Sequence, residues 1–200
     1  LVPQFAAFLK DFPDVRIELD MSDRLSALAT EGYDLAIRHT ARPPDTHVAW
    51  ALCATESVLV ATRAYIGQFG EPQNPADLQA HNCLHYPRSQ DTPAWTFEPR
   101  EPSEPGERIT VPVSGRFAAN NSEALREAAL TGAGIALMPD FSAQAELRKG
   151  QLVRVLPAWK PVGAFAETIY AIRPYAPHVP RAVAALVGHL KKGLESGFGV

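Results

Sequence analysis

The chain has 200 residues and a mass of 21.7 kDa, of which 46% are hydrophobic and 20% are charged. This composition is typical of a folded domain and excludes an intrinsically disordered chain. The net charge of −3 supplies no overall positive field to hold a phosphate backbone, which argues against nucleic-acid binding by this segment alone. The longest stretch without a charged residue, Ala128 to Pro139, has 12 residues, whereas a bilayer span needs roughly 20.

The first residue and the two cysteines bear on where in the cell the protein is located. The chain opens at Leu1 inside a predicted helix, with no initiator Met and no secretory signal, so we expect a fragment of a longer cytoplasmic protein. Cys53 and Cys83 lack the spacing of a disulfide framework. We predict free thiols in a reducing compartment, with an adventitious disulfide as the alternative.

The first third of the chain alternates between helix and strand patterns. Apolar residues recur every three or four positions from Val2 to Phe12, which predicts a helix, and period-two alternation over Val15 to Leu19 predicts a strand. Ser22 is placed to cap a further helix that ends near Gly32. Tyr33 to Arg38 then predicts a strand. This alternation favours an α/β domain with a mostly parallel sheet.

The rest of the chain predicts a second unit and a return segment. Helices are predicted over Arg63–Phe69, Ser122–Thr131, Phe141–Lys149 and Val179–Leu190. Strands are predicted over His47–Cys53, Glu56–Thr62, Cys83–Tyr86, Trp95–Glu98, Ile109–Val113, a strand ending at Phe117–Asn120, Ile135–Met138, Leu152–Leu156 and Glu167–Arg173. The run from Glu98 to Glu107, which includes residues 99–106, is rich in Pro and Glu and is predicted to be a mobile surface loop.

Helix starts provide the candidate binding site. The turn at Asn121 and Ser122 joins a strand to a helix, so that backbone N–H groups and the positive end of the helix dipole meet at the edge of the sheet. Ser22 follows a strand in the same way, and Arg38 ends a neighbouring strand. Together these residues would offer two helix N-termini and one guanidinium to an anion or a polar molecule. Alternatively, Ser22 and Asn121 are plain helix caps and Arg38 pairs with an acidic neighbour, Asp34 or Asp45.

Motifs for other chemistry are weak. The run His81-x-Cys83-x-His85 contains three potential metal ligands, but no fourth ligand lies nearby in sequence. This favours an ordinary strand over a metal site. Gly132-Ala-Gly134 follows a helix and is better explained as a helix C-cap than as a phosphate loop. We find no nucleophile elbow, zinc-protease motif or paired-cysteine motif, so we predict a protein that is not an enzyme and uses no cofactor.

Several runs of residues carry a family resemblance. They are Phe12-Pro-Asp-Val-Arg-Ile-Glu-Leu, Ser22-Asp-Arg, Glu31-Gly-Tyr-Asp-Leu-Ala-Ile-Arg38, Asp77-Leu-Gln-Ala-His-Asn-Cys-Leu84, Asn120-Asn-Ser-Glu-Ala-Leu-Arg126 and Gly132-Ala-Gly-Ile-Ala-Leu-Met-Pro139. In this order the chain resembles the effector-binding domain of LysR-type transcriptional regulators, from Leu1 to about Leu190. Each motif is weak alone, but six in sequence are specific.

The resemblance implies a fold. It is an α/β fold similar to that of type 2 periplasmic binding proteins, with two lobes, each a central mixed sheet flanked by helices, joined by two crossover strands. Lobe one would be residues 1–60 and 168–200, and lobe two residues 61–167. The crossovers near Val58–Thr62 and Glu167–Ile169 would form the hinge. The family's N-terminal winged helix-turn-helix is not in this sequence.

The resemblance also implies a site and partners. Ser22, Arg38, His39, Asn121, Ser122, Met138 and Pro139 look like the effector-binding positions of that family. The expected partners are a small polar or anionic effector bound between the lobes, promoter DNA through the N-terminal domain, and further copies in a dimer or tetramer; no membrane is implied. In the family's antiparallel dimer, the helix at Val2–Asp11 would pack against Glu123–Leu130 of its mate.

The implied function is that of the effector-sensing and oligomerisation domain of a DNA-binding regulator. The alternative is an extracytoplasmic solute-binding protein of the same fold. The fold alone does not separate the two, because one fold hosts several functions. The segment preceding Leu1 separates them: a helix-turn-helix indicates a regulator, and a signal peptide indicates a solute-binding protein.

Overall fold

The computed structural model describes residues 1–21, 32–87, 93–101 and 107–198. The chain forms two compact units. Unit 1 comprises Leu1–Ala54 and Ala166–Gly197, and unit 2 comprises Thr55–Phe165 with Phe198–Val200. The lobe limits given above, 1–60 with 168–200 and 61–167, stay a prediction.

In the described residues, groups of consecutive strands are separated by helices, and helix and strand alternate from Ser122 to Arg154. The α-helices are α1 (Val2–Asp11), α2 (Arg63–Phe69), α3 (Ser122–Leu130), α4 (Asp140–Arg148) and α5 (Arg181–Gly193), and a 3-10 helix spans Pro75–Ala80. The strands are β1 (Ala36–His39), β2 (His47–Ala54), β3 (Ser57–Ala61), β4 (Cys83–Leu84), β5 (Ala94–Pro99), β6 (Ile109–Pro112), β7 (Ile135–Pro139), β8 (Val153–Arg154), β9 (Trp159–Val162) and β10 (Thr168–Pro174). In the described ranges, no helix is both long enough and apolar enough to span a bilayer.

Unit 1 has a three-stranded sheet in the order β1-β10-β2. β10 comes from the returning chain and is antiparallel to both neighbours, with Arg38 opposite Tyr170 and His39 opposite Ile169 in the β1 pairing. In the same unit, α1 contacts α5: the Phe8 ring meets the His189 ring edge-on, with 5.5 Å between centroids. The first and last helices of the chain are therefore neighbours in unit 1.

Unit 2 is built on a mixed sheet in the order β4-β7-β3-β8, in which β4 is parallel to β7 and the other pairs are antiparallel. Alternate residues of β3 and β7 enter two different cores. Leu59 and Leu137 belong to one, and Val58 and Met138 belong to the other. Because successive side chains point to opposite faces, every residue of these two strands is buried. The second sheet of unit 2 is antiparallel, in the order β6-β5-β9.

Long periodic segments follow the sequence predictions closely. The predicted helix Arg63–Phe69 has these bounds in the structure, and α3, α4, α5 and β7 lie within a few residues of their predicted positions. Gly132 has φ of +77°, as expected for a residue that ends a helix in the left-handed region. The α/β fold class is confirmed.

Four predictions about strands need correction. The mostly parallel sheet is wrong for the described strands, where only β4 and β7 pair in parallel. Val15–Leu19 forms no strand, since none of the described strands pairs with it. The strand ending at Phe117–Asn120 is reduced to one isolated bridge between Ala118 and His85. The strand at Leu152–Leu156 shortens to β8, because only Val153 and Arg154 pair with β3. Val15–Leu19 has the alternating pattern of a strand, but none of the described strands supplies its ladder partner.

Other segments were missed or are not described. The sequence did not predict the 3-10 helix or β9. In the proline-rich run, Glu98 and Pro99 belong to β5, and residues 102–106 lie outside the described residues. The predicted helix that begins at Ser22 also lies outside them.

Candidate functional site

The N-termini of α3 and α4 lie side by side in unit 2. Ser142, in the first turn of α4, donates a hydrogen bond to the Oγ of Ser122, the first residue of α3, across 2.8 Å. Since α4 directly follows β7, both helix starts lie at the carboxyl end of this strand. Helix N-termini attract anions, because their first N–H groups lack partners within the helix and the dipole is positive there.

Asn121 caps α3. Its Oδ1 accepts hydrogen bonds from the backbone N–H groups of Glu123, at 2.8 Å, and Ala124, at 3.1 Å. The residue thus fills the cap role that the sequence left open as an alternative. The helix uses the side-chain oxygen as an acceptor, which leaves the amide nitrogen as the donor of this side chain.

Asp140, the first residue of α4, is bound to the start of unit 2. Its backbone N–H donates to the carbonyl oxygen of Glu56 at 2.9 Å, and the N–H of Glu56 donates to the Asp140 carboxylate at 3.1 Å. The N–H of Phe141 donates to the other carboxylate oxygen at 2.8 Å. Burial raises the pKa of Asp140, aided by the negative charge of Glu56 and opposed by these hydrogen bonds and by Arg154.

Glu56 is the acidic centre of a charged cluster. Its carboxylate binds Arg100 at 2.9 Å and Arg154 at 2.8 Å. Burial acts to raise the pKa of Glu56, but the hydrogen bonds and charges of the two guanidinium groups together outweigh it and lower the pKa. Glu56 and Asp140 are therefore neighbouring carboxyl groups with pKa shifts in opposite directions.

Arg38 and His39 lie next to each other on β1 in unit 1. Successive strand residues face opposite sides of a sheet, so these two side chains leave it in different directions. Burial lowers the pKa of His39, partly offset by a hydrogen bond to the backbone of Ala166. At neutral pH His39 is therefore uncharged and offers an anion a hydrogen bond but no charge. Asp45, one of the acidic neighbours considered for Arg38, binds Arg42 at 3.1 Å.

Met138 and Pro139 end β7 and are buried. Met138 is 0% exposed as a residue, pairs with Val58 of β3 and packs in a core of unit 2. Pro139 occupies the N-cap position of α4 without a side-chain cap hydrogen bond and has no N–H to donate. Ser22 lies outside the described residues.

The structure adds residues that the sequence did not single out. Asp140 and Ser142 complete the helix starts, and Glu56 joins them from a position 84 residues earlier in the chain. The sequence carried one local signal, the acidic residue in the first turn of α4. The contact with Glu56 has no local signal, because it depends on how β3 and β7 pair.

The side chains of the His81-x-Cys83-x-His85 run contact other polar groups of the protein. Nδ1 of His81 lies 3.3 Å from the hydroxyl of Tyr65, and Nδ1 of His85 lies 3.0 Å from the carbonyl oxygen of Cys83. The Cys83 thiol is buried and donates to the carbonyl oxygen of Leu78 at 3.5 Å. Within the described ranges, no three metal-ligating side chains are grouped to hold an ion.

Curated relatives of this chain are regulators of transcription. It is 36% identical over 191 residues to the HTH-type transcriptional regulator PtxR of Pseudomonas aeruginosa, which covers 94% of this chain and 58% of the relative. It is 31% identical over 190 residues to the probable HTH-type transcriptional regulator LtrA of Klebsiella pneumoniae, covering 95% and 60%. The chain thus spans about three fifths of the length of these relatives.

Solved structures agree with this relationship. The full-length virulence activator AphB of Vibrio cholerae, a member of the LTTR family, superposes with a TM-score of 0.79 at 27% identity, over 96% of this chain and 63% of that one. The regulatory domain of AphB of Vibrio vulnificus superposes with a TM-score of 0.74 at 26% identity, over 96% and 91%. The predicted two-lobed, periplasmic-binding-protein-like fold class is thereby confirmed.

The family comparison covers nearly the whole chain. The family described as the LysR substrate binding domain matches residues 1–195. This match agrees with the residues quoted for the resemblance, which are spread from Phe12 to Pro139. The chain belongs to the LysR substrate-binding domain family and is the effector-binding domain of a LysR-type regulator.

Proposed function

We propose that this domain senses a small polar or anionic effector and controls a longer, DNA-binding protein in the cytoplasm. The observation that carries the proposal is the family match over residues 1–195. Relatives of greater length are named as HTH-type transcriptional regulators, which supports promoter DNA as the partner of the whole protein. In this proposal the domain performs no catalysis, and ligand binding is coupled to the control of transcription.

The chemistry of the effector follows from the groups that would meet it. The paired starts of α3 and α4 supply Ser122 and the amide of Asn121, and Arg38 supplies a full positive charge. Such donors favour a carboxylate or phosphate over an apolar molecule. We propose the predicted set as effector contacts: Ser22, Arg38, His39, Asn121, Ser122, Met138 and Pro139.

Self-association is proposed through α1. Ala6 and Ala7 are exposed on this helix, and Val2 has 59% of its surface exposed, whereas Phe5 and Phe8 are buried against the unit. The apolar residues of α1 thus occupy both its inner and its outer face. The outer face suits a second copy, with α3 as the opposing element in a dimer or tetramer.

A thermal-shift screen tests the effector proposal. Short dicarboxylates, aromatic carboxylates and phosphate monoesters are added separately, and a compound that binds the native state raises the melting temperature. At least one anionic compound should stabilise the wild-type chain. Arg38→Ala should abolish this shift, because it removes the positive charge from β1.

Arg42→Ala is the matched control. Arg42 is an exposed arginine of the same unit that pairs with Asp45 at the surface, so its removal should leave the shift unchanged. A screen in which no compound stabilises the wild type contradicts the anionic effector. An equal shift in Arg38→Ala and wild type removes Arg38 from the site.

A further inference from the structure

The first residues of unit 2 are held by a pair of reciprocal hydrogen bonds. The chain enters unit 2 at Thr55, and the next residue, Glu56, both accepts from and donates to Asp140. One bond of this pair is between backbone groups and has no titratable partner. The other ends on the Asp140 carboxylate, which is 3% exposed as a residue and belongs to α4.

We propose that Asp140 is a proton-controlled latch on the entry segment of unit 2: the ionised carboxylate holds the backbone N–H of Glu56, and a proton taken up by this carboxylate loosens the hold. A carboxylate accepts hydrogen bonds on both oxygens, and here both are used. A protonated carboxyl group has one hydroxyl oxygen, which is a poorer acceptor. The bond from Glu56, at 3.1 Å, is longer than the bond from Phe141, at 2.8 Å, and is the one expected to weaken.

The charged groups around Asp140 come from three directions. Glu56 approaches from the segment before β3, Arg154 from β8, and Arg100 from the end of β5 through its ion pair with Glu56. α3 meets α4 through the hydroxyl groups of Ser122 and Ser142, which do not titrate. With all four charged side chains ionised, the cluster is formally neutral, and protonation of Asp140 leaves it with one positive charge.

The two carboxyl groups are shifted in opposite directions. Burial raises the pKa of Asp140, whereas the two arginines lower the pKa of Glu56. Protonation of Asp140 is therefore favoured by its burial, while the ionised form of Glu56 is favoured by its ion pairs with Arg100 and Arg154.

Amide hydrogen exchange tests the latch directly. Exchange of the wild-type chain is followed by NMR from neutral to acidic pH and corrected for the intrinsic effect of pH on exchange. The protection of the Glu56 amide should fall by about five-fold relative to that of the Asp140 amide, the factor expected for one hydrogen bond of ordinary net strength. The Asp140 amide is the internal control, because its bond to the Glu56 carbonyl has no titratable partner. Parallel protection of both amides at every pH overturns the proposal.

The variant Asp140→Asn has no carboxyl group to protonate at this position, so it tests whether the pH dependence of Glu56 protection and of stability comes from Asp140. In this variant the Glu56 protection should no longer depend on pH. Because the native pKa of Asp140 is raised, its contribution to stability is present at low pH and is lost as the pH rises through that pKa. The wild type should therefore gain stability relative to Asp140→Asn on acidification.

The control for this variant is Glu123→Gln, which removes an exposed acid from the first turn of α3 and provides the baseline pH profile. If Asp140→Asn does not fold, the wild type decides, with the protonation of Asp140 followed by its carboxyl carbon resonance. Loss of Glu56 amide protection that follows this resonance supports the latch, and protection that does not change as Asp140 takes up its proton overturns the latch.

Discussion

The hydroxyl of Ser142 donates to the hydroxyl of Ser122 across 2.8 Å, and this bond joins two helix starts that are 20 residues apart in the chain. Ser142 is 7% exposed, so its hydroxyl has little access to water. Buried hydroxyl groups need a partner, and Ser122 meets this need. The position of the α3 N-terminus therefore depends on α4, and any ligand bound by α3 depends on both helices.

Ser142→Ala should lower the free energy of unfolding by about 1 kcal/mol, the usual net value of one hydrogen bond. Urea denaturation measures the change. Ser122→Ala and the double variant complete a double-mutant cycle, which isolates the energy of the pair from effects of each residue alone. A coupling energy near zero would show that the two hydroxyl groups contribute independently.

The pH dependence of stability should report the burial of His39. Its pKa is lowered in the folded state, so the unfolded state binds the proton more readily. The wild type should therefore lose stability relative to His39→Gln as the pH falls through about 6.5, the ordinary pKa of histidine. Thermal unfolding from pH 8 to pH 5, on the order of three units around that value, covers the range. His178→Gln, at an exposed histidine of unit 1, provides the baseline, and identical profiles for the two variants would contradict the prediction.

Gly134 and Gly67 should respond oppositely to alanine. A Cβ at Gly134 would overlap the carbonyl oxygen of Asn82, whereas a Cβ at Gly67 would meet nothing within 4 Å. Gly134→Ala should lower the free energy of unfolding by roughly 2 kcal/mol or more, because backbone cannot move aside as a flexible side chain does. Gly67→Ala lies within α2 and should raise it by about 0.5–1 kcal/mol. Chemical denaturation measures both, and a neutral Gly134→Ala would mean that β4 and β7 can separate.

Cys83 should be unreactive in the native protein. Burial raises the pKa of its thiol to about 12, and 0% of the residue is exposed. Only the thiolate attacks a disulfide reagent, so modification at neutral pH should require unfolding. A colorimetric thiol assay with and without denaturant measures this, and Cys83→Ser assigns the remaining signal to Cys53. Rapid native modification of Cys83 would contradict the packing of β4.

Local patterns predicted the elements whose stability is mainly local. The helix Arg63–Phe69 and the buried strand at Ile135–Met138 were predicted because their apolar periodicity and their end signals are contained in a few consecutive residues. Asn121 was predicted at a helix start for the same reason. The family, too, was recognised from consecutive motifs and is confirmed by the match over residues 1–195.

Pairing over long distances in the chain was decided by tertiary structure alone. Val15–Leu19 has the alternation of a strand but no ladder partner among the described strands, while β10 returns from the far end of the chain to lie between β1 and β2. The contact of Asp140 with Glu56 spans 84 residues, so no short stretch of sequence contains both partners. Periodicity describes which face of an element is apolar, but hydrogen-bond ladders and buried carboxylates depend on which segments the folded chain brings together.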